Sequence, residues 1–179
     1  EALSGAKVPG RGFATGSAGI AWALGRTAVR ATDEADIAAL SGNDHGWCSG
    51  LTGALLAYAE VTGGDDLPEH AVTSLAERAP LKDLSLCHGE SGIIEGLCVL
   101  AGSGHTGAAS AVRLRTGRLL AALDRHGARC GTPSAVPAPG LLTGLAGIGY
   151  GLLRLGFTTQ VPSALLMQQG PGADTELRG

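Results

Sequence analysis

Cys87 and His88 stand side by side in the stretch Ser85-Leu86-Cys87-His88-Gly89-Glu90-Ser91-Gly92, directly before an apolar run. The Gly-x-x-Gly step in that stretch recurs at Gly16-Ser17-Ala18-Gly19, Gly50-Leu51-Thr52-Gly53 and Gly144-Leu145-Ala146-Gly147. Aligning the copies on their first glycine puts Ala14, Cys48, Cys87 and Leu142 two positions before it, and Thr15, Ser49, His88 and Thr143 one position before it. If the helices that follow aim their N-termini at a common centre, Cys48 and Cys87 meet from adjacent helices and His88 joins them. Two thiolates and an imidazole are ordinary zinc ligands. Three protein ligands with a fourth position open is the catalytic arrangement, whereas structural zinc sites normally close with four. Helix N-termini are expected to lower the thiol pKa and help keep both cysteines ionised. The competing reading of the same residues is two buried cysteines and a capping histidine.

The other candidates are weaker on pattern. His45, three residues before Cys48, is either a loop histidine or a fourth ligand or proton shuttle. Cys98 falls within an apolar helix and reads as core, and Cys130 lies in a proline-rich connection where it could pack over the centre. His70, His105 and His126 read as surface groups. Trp47 reads as a packing lid over the metal. Glu90 suits a helix N-terminus electrostatically, and either Glu90 or Glu95 could contact a ligand from outside.

The elements that must position these residues follow from periodicity. Apolar helices are expected at about 13–24, 49–60, 90–101 and 141–155, each wanting burial on every side. Between them come a short polar segment at 27–40 and amphipathic helices at about 68–79 and 108–126, the second with Val112, Leu119, Leu120 and Leu123 as its stripe. Gly117 weakens the second by roughly 1 kcal/mol of propensity. The first glycines are 34, 39 and 55 residues apart, the last gap lengthened by the connection over 127–140. Helix pairs at such a period stack as a solenoid or close into a double-layered ring, with the apolar helices inside. Glycines at a helix start let the backbone approach a neighbour or a central site. A phosphate cradle is disfavoured, because no clear strand precedes them and no Gly-Lys-Ser/Thr occurs.

Composition narrows the classes. At 179 residues one domain is expected, over 12–167, with a lead-in at 1–11 and a tail at 168–179. Charged residues are 16% and the net formal charge is -3, with no basic run that would suggest a nucleic-acid partner. The long uncharged segment 130–153 is broken by Pro133, Pro137, Pro139 and glycines, so no transmembrane segment is expected. Nothing reads as a signal peptide, which points to a cytoplasmic chain. In that compartment four cysteines favour metal binding or burial over disulfides.

Several stretches together resemble the lanthionine synthetase C-like cyclases: the run from Gly12 to Leu24, Trp47-Cys48-Ser49-Gly50, Ser85-Leu86-Cys87-His88-Gly89 and Cys130-Gly131-Thr132-Pro133. The run from Pro139 to Leu155 and Val161-Pro162-Ser163-Ala164-Leu165-Leu166 are similar to the C-terminal cyclase domain of class II lanthipeptide synthetases. The resemblance implies an all-α fold, an α/α toroid of which this chain would form the last four of seven helix pairs. It implies Zn2+ held by Cys48, Cys87 and His88. It further implies addition of a peptide cysteine thiolate to dehydroalanine or dehydrobutyrine, giving a lanthionine or methyllanthionine thioether. The implied partners are a dehydrated precursor peptide and the missing toroid or dehydratase portion of a larger synthetase.

Two departures bear on turnover. The family usually has a histidine where Thr15 stands, and a threonine hydroxyl does not exchange protons usefully near neutral pH. The family's active-site aspartate belongs to an earlier repeat. The expectation is therefore a cyclase domain, or a degenerate or incomplete piece of one. A zinc-stapled helical module without catalysis is the alternative, and another enzyme on a related toroid is a third class, weakened by the lack of His-Glu-x-x-His and Gly-x-Ser-x-Gly motifs.

Overall fold

Each Gly-x-x-Gly step closes a tight turn and opens a helix. The computed structural model describes residues 10–23, 44–63 and 67–170, and among them the fold is all-helical, without a strand. The helices are α1 (Ser17–Ala23), α2 (Leu51–Thr62), α3 (Glu69–Glu77), α4 (Glu90–Gly102), α5 (Thr106–His126) and α6 (Leu145–Gly156), with a 3-10 turn at Pro133–Ala135. The short polar segment 27–40 lies outside the described residues, as do nearly all of the lead-in and most of the tail.

The four turns share one closing hydrogen bond. The amide after the first glycine donates to the carbonyl seven residues back: Ser17 to Gly10 at 3.0 Å, Leu51 to Asp44 at 2.9 Å, Glu90 to Asp83 at 2.9 Å and Leu145 to Ala138 at 2.7 Å. The turn then folds so tightly that the second glycine sits on a backbone carbonyl. A Cβ at Gly92 would fall 2.0 Å from the Leu86 oxygen, and at Gly53 2.0 Å from that of Trp47. The second glycine is therefore required first by its own turn, and at Gly53 also by the close approach of a neighbour, since a Cβ there would lie 2.7 Å from Phe13 Cβ. Because these turns occupy Gly12–Gly16 and Gly140–Gly144, α1 and α6 start four residues later than periodicity indicates.

The apolar helices pack in series, α1 on α2, α2 on α4 and α4 on α6, while α3 packs on α2 and α5, and α5 also covers α4. With neighbours on three sides, α4 is buried from Glu90 through Leu97. Leu51, Leu55, Val72, Leu75, Ile93 and Leu97 form the largest core cluster.

Two expectations fail at the periphery. α6 is not buried all round, since Leu145, Leu152 and Leu153 are exposed on it. On α5, Leu119 is buried but Leu120 is exposed, and the residue that enters the core is Arg115. Its guanidinium is wholly buried, bonded to Glu90 at 2.8 Å and to the carbonyls of Leu75 and Arg78 at 2.7 and 3.0 Å. It thereby ties the end of α3 to the start of α4. Arg154 of α6 similarly grips Glu95 of α4 at 2.9 and 3.1 Å, and its Nη1 donates to the Thr158 and Val161 carbonyls at 2.6 Å.

Candidate metal centre

The turns before α1, α2, α4 and α6 are laced together by their backbones. At the position two before the first glycine, the Ala14 amide donates to the Cys48 carbonyl at 2.9 Å, Cys48 to Cys87 at 3.4 Å and Cys87 to Leu142 at 2.8 Å. The Cys87 carbonyl also accepts from Trp47 at 2.8 Å. This ladder holds equivalent residues of successive repeats next to one another, so the two cysteines that share a register also share a location. One ligand atom each from Cys48, Cys87 and His88 lies within 4.8 Å of the others. The cysteines are half-buried and the histidine is exposed, so the cluster opens to solvent on one side. It is a group capable of chelating a metal.

His88 is oriented from behind. Its Nε2 is 3.1 Å from Asp83 Oδ2 and 3.2 Å from the Gly131 carbonyl. An imidazole that donates from Nε2 keeps its lone pair on Nδ1, which makes Nδ1 the nitrogen available to a cation. Asp83 is itself fixed by the Ser85 amide at 2.7 Å and the Ser85 hydroxyl at 3.1 Å. Gly131 fits closely over this arrangement: a Cβ there would come within 2.7 Å of Asp83 Oδ2 and 2.8 Å of His88 Nε2. Its amide is anchored to the Thr143 carbonyl at 2.8 Å.

Asp83 and Gly131 are contributors that reading the sequence missed, yet a signal was present. Asp44 and Asp83 both stand six positions before the first glycine of their repeats. Asp44 plays the matching part, accepting from the Gly46 amide at 2.9 Å and from the Ser49 hydroxyl at 2.5 Å, while Ser49 Oγ lies 3.6 Å from Cys48 Sγ.

The electrostatics run opposite to the sequence expectation. Burial, then the hydrogen bond and charge of Cys48, then Asp83 and Asp44 push the Cys87 thiol up to about 12. The helix N-terminus does not overcome these effects. Two thiols flanked by two carboxylates ionise together at a high electrostatic cost, and a divalent cation bound between the sulfurs removes that cost. The donor set therefore fits zinc chemically.

The remaining candidates fall elsewhere. Thr15 is exposed in the turn before α1. His45 is buried outside the cluster, with Nε2 at 3.0 Å from Arg78 Nη1. Glu90 and Glu95 are committed to Arg115 and Arg154 in buried ion pairs. Cys98 packs beside the core formed by Leu84, Ile94 and Ile148, and Cys130 is buried within that core. His105 is not merely a surface group: its Nδ1 accepts the Ala108 amide at 3.2 Å as the cap of α5, and its Nε2 lies 3.0 Å from Glu69. Trp47 stacks at a tilt on Phe13, ring centres 5.4 Å apart, in a cluster with Leu56 and Leu166.

No helix among the described residues is long and apolar enough to cross a membrane. No curated protein matches the chain. Residues 30–166 match the family model described as lanthionine synthetase C-like protein. That span holds Cys48, Cys87 and His88 and every described helix but α1, and over it the chain belongs to the lanthionine synthetase C-like family.

Proposed function

We propose that the chain is a zinc-dependent cyclase domain of the lanthipeptide-forming kind, an arc of an α/α toroid whose remaining repeats lie in other sequence. The observation that carries this reading is the convergence of Cys48, Cys87 and His88 within 4.8 Å in a family member. Cys48, Cys87 and the Nδ1 of His88 would hold the metal, and its chemistry would be to bind a peptide cysteine sulfur as thiolate at neutral pH.

The protein's own residues supply position. The backbone ladder sets the spacing of the sulfurs, and Asp83 with the Gly131 carbonyl fixes the imidazole. The exposed side of His88 leaves the approach for a precursor peptide. In the reaction a sulfur–carbon bond forms at Cβ of dehydroalanine or dehydrobutyrine, and the Cα takes up the proton given up by the thiol. Thr15, which stands where the family has a histidine, does not deliver that proton near neutral pH. This reading assigns the delivery to solvent or to a group on an earlier repeat.

The test is incubation of the zinc-loaded protein with a dehydrated precursor peptide, followed by thiol alkylation and mass measurement. Cyclisation shows as loss of alkylatable thiols at unchanged peptide mass. Thiol loss equal to a protein-free control, with zinc bound stoichiometrically, assigns the cluster to stapling the turns before α2 and α4 and overturns independent cyclase activity.

A further inference from the structure

Between the loop at 80–84 and one face of α5 lies an open groove of about 810 Å³. Leu81, Leu84, Leu114 and Ala121 give it an apolar floor. Its rim is cationic: Lys82, Arg113, Arg118, Arg125 and Arg129 line it, with no aspartate or glutamate among the lining residues. These are five of 13 lysines and arginines in a chain of net formal charge -3. Like charge concentrated around apolar ground, against the overall balance, is the character of a surface that meets a complementary partner.

Two details show what the groove lacks. The buried arginines Arg115 and Arg154 are each paired with a glutamate, whereas none of the five rim cations is in an ion pair among the described residues. Among the described residues, Arg113 and Arg125 donate to neutral groups of α5, the Ser110 hydroxyl and the Ala121 carbonyl. Arg118 Nη1 is shielded from solvent with no hydrogen-bond partner among the described residues. The second detail is Gly117, in the middle of α5 and of the groove. A Cβ there would meet nothing within 4 Å, so internal packing does not require this helix-weakening residue. It leaves bare backbone on which a neighbour can lie close.

We propose that this groove docks an acidic amphipathic helix of a partner polypeptide, its apolar side on the floor and its carboxylates on the rim. The stretch from Arg113 to Arg125 runs roughly 18 Å along α5, about three turns of such a helix. No phenylalanine, tyrosine or tryptophan lines the groove to stack a nucleic-acid base, His126 being the single ring there, and a flat bilayer reaches a rim but not a floor. The inference rests on the groove alone and is independent of the reading of the metal centre.

The test is fluorescence anisotropy of the full chain with a fluorescein-labelled synthetic helical peptide carrying glutamates on one face and leucines on the other. The comparison probes are the same peptide with leucines replaced by serine, an oligothymidine, and phosphatidylglycerol vesicles. Binding of the glutamate–leucine peptide is expected to weaken at least tenfold in the serine version and at least tenfold in the Arg118→Gln/Arg125→Gln variant. Gly117→Leu is expected to block the floor and abolish binding while leaving helicity unchanged and the melting temperature equal or higher. Absence of peptide binding, insensitivity to either variant, or equally tight binding of the oligonucleotide or vesicles overturns the proposal.

Discussion

The amide of Cys48 donates to the carbonyl of Cys87 at 3.4 Å, so the two cysteines are joined through their backbones as well as gathered by their sulfurs. The same bond recurs from Ala14 to Cys48 and from Cys87 to Leu142. A cluster capable of chelating a metal is thus grafted onto a contact that the fold makes at each of these repeats. Only the two middle positions carry thiols, and only the third repeat adds an imidazole.

The outer contact of His88 should be measurable in metal affinity. Asp83→Asn is expected to weaken zinc binding by about tenfold to a hundredfold, the range for loss of a carboxylate behind a ligating histidine. Cys48→Ala and Cys87→Ala should each abolish stoichiometric binding. Competition against a chromophoric chelator reads all three variants, and an unchanged affinity for Asp83→Asn would refute the role given to that carboxylate.

Affinity should also depend on pH in a definite direction. The Cys87 thiol is pushed from the ordinary 9.0 up to about 12, and ligation needs the thiolate. Zinc affinity therefore climbs through the neutral and mildly alkaline range, by up to about tenfold per pH unit for each proton displaced. In the metal-free protein the sign reverses. The folded state holds this proton more tightly than the unfolded chain, so its contribution to stability is complete below about 9 and is lost as pH rises towards 12. Titration calorimetry in buffers of different ionisation enthalpy counts the protons released on zinc binding, and none released would contradict this account.

Cys98 offers an internal control. Burial, with Glu95 adding to it, pushes its thiol up to about 11. Iodoacetamide at about pH 8 should label Cys98 slowly both with and without zinc, since the thiolate is the reactive form. Labelling of Cys48 and Cys87 should instead fall when zinc is added. Peptide mapping by mass spectrometry distinguishes the sites.

Two glycine-to-alanine changes should move stability in opposite directions. At Gly92 the new Cβ would lie 2.0 Å from the Leu86 carbonyl, forcing the turn that carries Cys87 to shift. The expected loss is about 1–3 kcal/mol, with weakened zinc binding. At Gly117 there is open space, and the expected change is a gain of up to about 1 kcal/mol. Denaturant unfolding of the two variants decides the point.

Arg115 should be the most sensitive charged residue. Arg115→Met leaves Glu90 buried without its partner and is expected to cost about 3–5 kcal/mol. Glu90→Gln/Arg115→Met, which removes both charges, should recover part of that loss. A double variant no more stable than Arg115→Met would show that the ion pair is not what Arg115 contributes.

Helix identity and order were legible because apolar periodicity and glycine punctuation are local properties of the chain. The start of α4 at Glu90 was read correctly, while α1 and α6 were begun four residues early. There the apolar residues of the turn, Phe13, Leu141 and Leu142, continue the hydrophobic run without being helical. Arg115 escaped notice because an arginine on an amphipathic helix ordinarily faces solvent, and nothing local marks one whose carboxylate partner is 25 positions away.

By itself the sequence determined which residues are equivalent. The repeat register alone singles out Cys48, Cys87 and His88, since identical turns place identical positions alike. It held the same information for Asp44 and Asp83. Tertiary structure decided what those equivalent positions do. Hydrogen bonds between turns bring the sulfurs together, Asp83 and Gly131 take one nitrogen of His88, and burial beside a second thiol raises Cys87 where a helix N-terminus was expected to lower it. These effects depend on distances between segments far apart in the chain, and a local pattern of residue types carries no measure of those distances.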